Sequence, residues 1–496
     1  MIPYKTTLQI DRSGKQPIYL QLANQFVGLI KKNVLVPGAK LPGSRTLAAQ
    51  LSVHRKTVIA CYDDLLLQGW IVSIPKKGTF VHQNIPTLQK RAFIDTMEVP
   101  GTQEAGFSFF KEPLLERPLV ERLPGYHYLN DGVSDVRLTP MKAIAKEYRS
   151  LADRKNSLRY LGYDTTYGNP RLREVLVTYL NETRGLHITK DQLLITRGSQ
   201  MAMYLAARTL MAPNTYVVVG ETNYIAADLT FQHAGATLLR VPVDENGLNT
   251  DAIAHLCKKH DIKAVYVTSH HHHPTTVMLS AERRMQLLNL ARTHRFAIIE
   301  DDYDYDFHYD HSPILPLASH DANGNVIYVG SVCKTVAPVY RVGYLVAPRA
   351  FVDQCAKLRR FVDRQGDSLL EAAFANFIKS GDLDRHIRKV LKHYALRRAL
   401  FCTLLEQLFG TVFTFEIPKG GMAVWVRLQK GYEWRTISEQ AKKHGLIIGE
   451  WQRYDMAKTG HNGIRMGFAA YNEEEIRTVL KKLHLAVQDS IPKKMD

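Results

Sequence analysis

Residues 329–348, VGSVCKTVAPVYRVGYLVAP, are the stretch on which the fold class of this chain turns. They begin inside an apolar run, VIYVGS (326–331), and end on another, RVGYLVA (341–347), and they set Lys334 just past the first run. Both runs have the length and composition of short buried strands. A lysine at such a strand end is costly, because desolvation disfavours the ammonium, unless chemistry uses the amine. Lys334 is therefore the first candidate functional residue.

Moving outward, further apolar runs alternate with amphipathic helical stretches: QLLIT (192–196), TYVVVG (215–220), TLLRVPV (237–243), KAVYVTS (263–269) and FAIIEDD (296–302). This alternation predicts an α/β domain around a mostly parallel, covered sheet. The last hundred residues, with GMAVWVRL (421–428) and GIRMGFA (463–469) separated by helices, predict a smaller α+β subdomain. The expected division is 1–82, 83–125 and 126–490. The middle segment carries Pro86, Pro100, Pro113, Pro118 and Pro124 and reads as a semi-rigid linker, parts of which, such as 107–110 (FSFF), are expected to dock.

The chain has 496 residues, 45% of them hydrophobic and 23% charged, as expected of a soluble globular protein. It shows neither an apolar run of membrane-spanning length nor the apolar stretch of a signal peptide, so a cytoplasmic address without membrane contact is expected. Its five cysteines, odd in number and without a CxxC pair, argue against a disulfide framework or a thiolate metal site.

The net charge is +17, and residues 1–85 supply eleven Lys or Arg against three Asp, a balance of +8. Here 17–35 reads as a helix stopped by Pro37 and Gly38. Next come a short helix (44–51) with Ser44 available as N-cap, a longer one opening His54-Arg55-Lys56-Thr57, and two strands around a turn at 75–78. That order is the plan of a winged helix-turn-helix, whose second helix can enter the major groove of double-stranded DNA. Arg55 and Lys56 suit guanine edges or phosphates, with His54 at the helix start beside them. Ser44, Arg45 and Thr57 can position the backbone, and Lys76 and Lys77 can touch phosphate. From Pro17-Ile18-Tyr19 through Leu41-Pro42 to Gly78-Thr79-Phe80-Val81 the segment resembles the GntR-type winged helix.

The segment around Lys334 resembles that of fold-type I pyridoxal-phosphate (PLP) enzymes, in the form carried by the MocR/GabR family of GntR-type regulators. The resemblance implies a type I aminotransferase-like PLP fold, with Lys334 attached to PLP and Ser331 and Arg341 at its phosphate. Cys333 departs from the small hydroxyl residue usual before this lysine. The string IEDDYD (299–304) is similar to the family motif that supplies a carboxylate to the pyridine nitrogen. By register this is Asp301, with Asp302 as the alternative one residue away, and the Tyr303 hydroxyl would reach the ring oxygen. Gly198, Ser199 and Gln200, opening a helix after QLLIT, would cup the phosphate. Tyr224 matches the aromatic that stacks on the ring, although Thr222 and Asn223 replace the usual Pro-Gly. Arg465 resembles the arginine that grips a substrate carboxylate, and GYDTTYGNPRLREVL resembles the segment placing Tyr163 and Gly168 near the cofactor or a dimer partner.

The tract His270–His273 invites a metal, but neighbours on an extended chain point to opposite faces, so no metal is expected. His271 occupies the family's histidine position, while His272, His273 and Thr276 depart from its Gln, Phe and Gly, and an altered effector-facing wall follows. The resemblance implies a transcriptional regulator that binds operator DNA as a homodimer, domain-swapped and head-to-tail. It would sense PLP, or an amino-acid or amine effector, through aldimine exchange at Lys334. The alternative is an aminotransferase with an appended DNA-binding domain; aminotransferase-type chemistry is the activity expected of the site if it turns over at all.

Overall fold

In the computed structural model the described residues are 3–12, 16–84, 105–115, 123–309, 314–449, 454 and 460–490. They fall into two compact units, Met1–Phe110 and Lys111–Asp496. Much of the predicted linker, Lys15 and the last residues lie outside the described set.

In the first unit, helices Ile18–Lys31, Ser44–Leu51 and Arg55–Leu67 precede an antiparallel hairpin, Ile71–Ile74 with Gly78–Val81. The first helix stops before the expected Pro37, because the chain turns at Asn33 with φ of 60°. Gly43, not Ser44, is the N-cap of the second helix. Ser44 begins the helix and leaves its hydroxyl to accept from Arg55 Nε at 3.4 Å. The hairpin also gains a partner that periodicity did not announce: Leu41 N–H donates to Thr79 and Val81 N–H to Ala39. Phe26, Leu22, Leu47, Val58 and Leu65 are fully buried beneath these elements. Phe107, Phe109 and Phe110, expected to dock, are 74%, 61% and 82% exposed, and the first two rings meet edge-on.

A seven-stranded sheet organises the second unit. Its order is Leu193–Thr196, Gly343–Val346, Val326–Ser331, Ala297–Asp302, Ile262–Val267, Thr215–Gly220, Ala236–Val241. Gly343–Val346 runs antiparallel to both neighbours and the other pairings are parallel. Such a sheet needs cover on both faces, and its strands are correspondingly apolar and buried for the most part, apart from the acids that end Ala297–Asp302 and the partly exposed edge strand Ala236–Val241. Asn169 caps helix Pro170–Arg184 by accepting from Arg171 and Leu172 N–H, with proline at the first helical position. Just before it, Gly168 (φ 95°) lies flat on Ile195, where a Cβ would collide.

The C-terminal subdomain is a three-stranded antiparallel sheet, Phe413–Phe415, Ala423–Leu428 and Gly463–Gly467. Helices Trp434–Lys443 and Glu473–Ser490 pack around a core that includes Trp434, Phe409 and Phe413. Among the described residues no helix is long and apolar enough to cross a membrane.

The first unit has a small core in which Phe26 touches the rings of Tyr4 and Tyr62, each at 6.0 Å. Phe26→Ala should therefore cost about 3–5 kcal/mol, most of what a small domain holds. A thermal melt followed by proteolysis should show residues 1–84 released first, and an unchanged melt would contradict this core assignment.

Candidate functional site

The loops that follow five of the seven strands, all but Gly343–Val346 and Ala236–Val241, meet at one end of the large sheet. They carry Gly198 after Thr196, Tyr224 after Gly220, the histidine tract after Val267, Asp301 and Asp302 at a strand end, and Lys334 after Ser331. An open α/β sheet offers its ligand crevice at these carboxyl ends.

Strand alternation separates the two candidate carboxylates. Asp301 accepts from the Tyr266 hydroxyl at 2.9 Å through Oδ2, and its buried Oδ1 has no hydrogen-bond partner. Burial pushes its carboxyl up to about 6, against the Tyr266 hydrogen bond, with Asp304 adding to the rise and the Lys334 amine opposing it. Asp302 projects from the other face, where the Tyr328 hydroxyl donates to it and Arg184 supplies a nearby positive charge. Burial drives its carboxyl well up as well. Asp301 thus shares its face with Lys334, whereas Asp302 belongs to the packing beneath the sheet.

Lys334 donates to the Gly132 carbonyl at 2.8 Å. Desolvation lowers its ammonium, partly countered by Asp131, so the amine is drawn toward its neutral, nucleophilic form. On the other side of Gly132, Arg465 donates to the Asp131 carbonyl (2.8 Å), the Pro274 carbonyl (3.2 Å) and the Tyr303 hydroxyl (3.2 Å). Arg465 is 2% exposed and forms no ion pair among the described residues. The Tyr303 hydroxyl in turn donates to the His271 carbonyl at 2.7 Å. Lys334, Tyr303 and Arg465 are therefore joined around residues 131–132.

A second group gathers where helix Ser199–Leu210 starts. That helix begins at Gly198 (φ 78°) with no side-chain cap, which leaves its first amides open to an acceptor. A Cβ on Gly198 would stand 2.7 Å from Arg341, and one on Gly343 would stand 2.5 Å from the Gly198 carbonyl carbon. Only glycines allow this approach. Arg341 reaches the Arg197 carbonyl at 2.9 Å. The Ser331 hydroxyl accepts from Cys333 N–H at 3.0 Å and donates to Val342, so it shapes the 331–342 loop. The Gln200 side chain is turned away to Thr230, 2.7 Å off, leaving its backbone amide as its contribution. Tyr224 sits edge-on to His273 with ring centroids 5.1 Å apart. Its loop, lacking the usual Pro-Gly, is held by Asn223 bonded to Asp228, which pairs with Arg240 at 2.6 Å.

The histidine tract is not extended. It bends immediately after Val267, and each ring takes a different partner. His270 contacts the Ile314 carbonyl (2.6 Å), His271 the Asp304 carboxylate (2.9 Å) and His272 the Thr275 hydroxyl (3.2 Å), while His273 faces Tyr224. The divergence thus comes from a turn, not from strand alternation. Among the described residues no three His, Cys, Asp or Glu side chains are grouped to hold a metal.

In the first unit, Arg45, His54, Arg55 and Lys56 are exposed, and Ser44 and Thr57 are half-buried. His54 caps the helix Arg55–Leu67 by accepting from Lys56 N–H at 3.2 Å. Arg55 is braced by Ser44 across the turn, and Lys76 and Lys77 stand exposed at the tip of the hairpin. Two helix starts and one hairpin tip therefore carry these cations.

Sequence reasoning overlooked Tyr266, Asp304 and the Asn130-Asp131-Gly132 turn. Tyr266 was hidden in an apolar strand and Asp304 among four acids. The Asn-Asp-Gly string was the one available signal, a turn sequence at the domain's start.

Residues 127–483 match the aminotransferase class I and II family, and residues 18–81 match the bacterial regulatory proteins of the gntR family. The chain belongs to the class I and II aminotransferases and carries a gntR-type helix-turn-helix domain in front. It is 26% identical over 480 residues to the probable rhizopine catabolism regulatory protein MocR of Rhizobium meliloti, covering 97% of this chain and 95% of that one. It is 24% identical over 451 residues to the HTH-type transcriptional regulator NorG of Staphylococcus aureus (strain N315), covering 90% and 99%. Its fold is similar to that of a Pyrococcus horikoshii kynurenine aminotransferase solved with PMP, with a TM-score of 0.72 at 26% identity over 78% of this chain and 98% of that one.

Asp301 gives a pH prediction for the cofactor-free protein. Its folded value, about 6, lies above the ordinary 3.8. The native state therefore binds the extra proton between them, and stability from this group is present at low pH and lost as pH rises through about 6. Asp301→Asn removes the uncompensated buried charge and should stabilise the cofactor-free protein by about 1–3 kcal/mol at pH 7 but not at pH 4. Paired thermal melts at the two pH values test it, and equal gains at both would reject it.

Proposed function

We propose that this chain is a PLP-dependent transcriptional regulator that binds operator DNA and responds to a small amine or to PLP itself. What carries the reading is the union, in one chain, of a basic gntR-type reading head with a sheet edge whose residues fit PLP. The fit rests on three features: the partnerless buried oxygen of Asp301, the desolvated amine of Lys334, and the uncapped helix start beside Arg341.

When bound, PLP supplies an aldehyde that links to amines and a protonated pyridine ring that draws electrons. Asp301 Oδ1 would accept the ring N–H, which satisfies the orphaned oxygen and favours the carboxylate. Lys334 would carry the covalent link. Ser199 and Gln200 amides with Arg341 would hold the phosphate, and Ser331 would keep their loop in place. Tyr224 would lie against the ring, and the Tyr303 hydroxyl would reach its oxygen. Arg465 would exchange its contacts to backbone carbonyls for an effector carboxylate, a stronger bidentate match.

A cytoplasmic homodimer is the assembly this reading requires, with exchanged, head-to-tail winged helices on repeated or inverted half-sites. Tyr163 fits a dimer contact, since its ring is 83% exposed and Arg364 lies over it at 4.2 Å. The winged helix would use Arg55 and Lys56 at base edges, with Ser44, Arg45, His54, Thr57, Lys76 and Lys77 at the backbone.

The cofactor assignment predicts a yellow purified protein, in which borohydride reduction fixes the cofactor on Lys334, as read by peptide mass spectrometry. Lys334→Ala should lose the fixed adduct, and a colourless protein that ignores added PLP would refute the assignment.

On DNA, Arg55→Ala should cost about 1–3 kcal/mol and relax specificity at one base position. Lys77→Ala should weaken all sequences alike and reduce the salt slope by about one. Equal, sequence-independent losses in gel-shift titrations would move the recognition surface elsewhere.

A further inference from the structure

The C-terminal sheet places Trp425 directly opposite Arg465 on the neighbouring strand. Residues paired in this way share a face, so the indole projects to the same side as the guanidinium. Gly463, two residues before Arg465, makes room for it, since a Cβ there would run into the indole ring. Trp425 is half-buried and meets Tyr454 edge-on at 5.7 Å. Tyr454 stands 6.3 Å from His273, and His273 is 5.1 Å from Tyr224 and 6.4 Å from Tyr303. A continuous aromatic wall therefore runs from the residues assigned to the cofactor ring, past Arg465, to Trp425.

Beyond Trp425 lies a cleft of about 810 Å³, lined also by Thr276, Arg427, Lys419 and His461. This is within the usual range for small-molecule sites, about 300–1,000 Å³. Its rim mixes signs, with Glu245 and Glu416 against Arg427 and Lys419, so charge there does not select a ligand. Aromatic surface does.

We infer that the effector is an α-amino acid with an aromatic side chain, its carboxylate on Arg465 and its ring against the wall formed by His273, Tyr454 and Trp425, toward the cleft that Trp425 lines. The inference rests on the proposed PLP-sensing role of the same site. Planar rings gain from edge-to-face contacts beyond the area they bury. A small aliphatic amino acid would leave the wall uncovered, and a longer amine without a carboxylate would leave Arg465 on its backbone carbonyls.

The test is calorimetric titration of the PLP-loaded full-length protein with L-tryptophan, L-phenylalanine, L-alanine and 2-phenylethylamine. Tryptophan or phenylalanine should bind at least tenfold more tightly than alanine or the carboxylate-free amine. Trp425→Leu should weaken the aromatic amino acids about three- to tenfold, and leave alanine within about twofold. Trp425→Phe should restore most of the loss, which separates a ring contact from mere misfolding. Equal affinities for alanine and the aromatic amino acids, or an equal loss for all ligands in Trp425→Leu with no rescue by phenylalanine, would overturn the inference while PLP binding stands. Failure to load PLP at all would remove both this inference and the reading beneath it.

Discussion

Burying carboxylates at the end of the central strand is the constraint around which the second unit is arranged. Glu300, Asp301, Asp302 and Asp304 are all less than a tenth exposed, and each needs compensation. Glu300 receives Ser269 and two backbone amides, from Leu317 and Ala318, and so ties the strand to the following loop. Asp302 is answered from below by Tyr328 in the field of Arg184, which itself pairs with Asp306 at 2.6 Å. Asp304 takes His271. Each of these draws a neighbouring segment to the strand end. Asp301, Asp302 and Asp304 each keep one buried oxygen without a hydrogen-bond partner, and that of Asp301 lies on the Lys334 face, where a positively charged ring would complete it.

Much of this was legible in the sequence because period and chemistry agreed. The apolar runs marked the seven strands to within a residue or two, and the strand-end positions of Asp301 and Lys334 followed from them. What the sequence concealed were contacts between distant segments. Nothing in the string around Gly132 announces that its carbonyl meets Lys334, 202 positions away, or that Arg465 reaches across 334 positions to Asp131. The capping of the short helix shows a different limit. Ser44 and Gly43 are both acceptable caps; glycine takes the cap position, and the serine hydroxyl accepts from Arg55 instead. The histidine tract shows a third, since strand alternation ceases to apply once the chain bends after Val267.

The two glycines at the helix start explain why residues so far apart in sequence form one cup. Gly198 and Gly343 let a loop and an antiparallel strand touch through backbone, and Arg341 fills the space that remains. Insertion of the single antiparallel strand Gly343–Val346 between Leu193–Thr196 and Val326–Ser331 is what brings Arg341 beside residues 197–199. The odd strand direction is thus a consequence of returning the chain from Lys334 to the helix start within nine residues.

Under the proposed function, occupancy would have to become a change of form, and a ligand achieves that only if it binds two forms unequally. Arg465 is suited to that task by its present partners. Two of them are backbone carbonyls, from Asp131 and Pro274, on segments that belong to different parts of the second unit. A carboxylate that took over the guanidinium, as proposed, would release both carbonyls at once. The interaction proposed to recognise the ligand would then also be the one that loosens residues 131 and 274 from the C-terminal sheet. In the same step Tyr303, bonded both to Arg465 and to the His271 carbonyl, would carry the exchange to the loop after Val267. Recognition and response would share one side chain, and the response would be confined to ligands that carry the carboxylate.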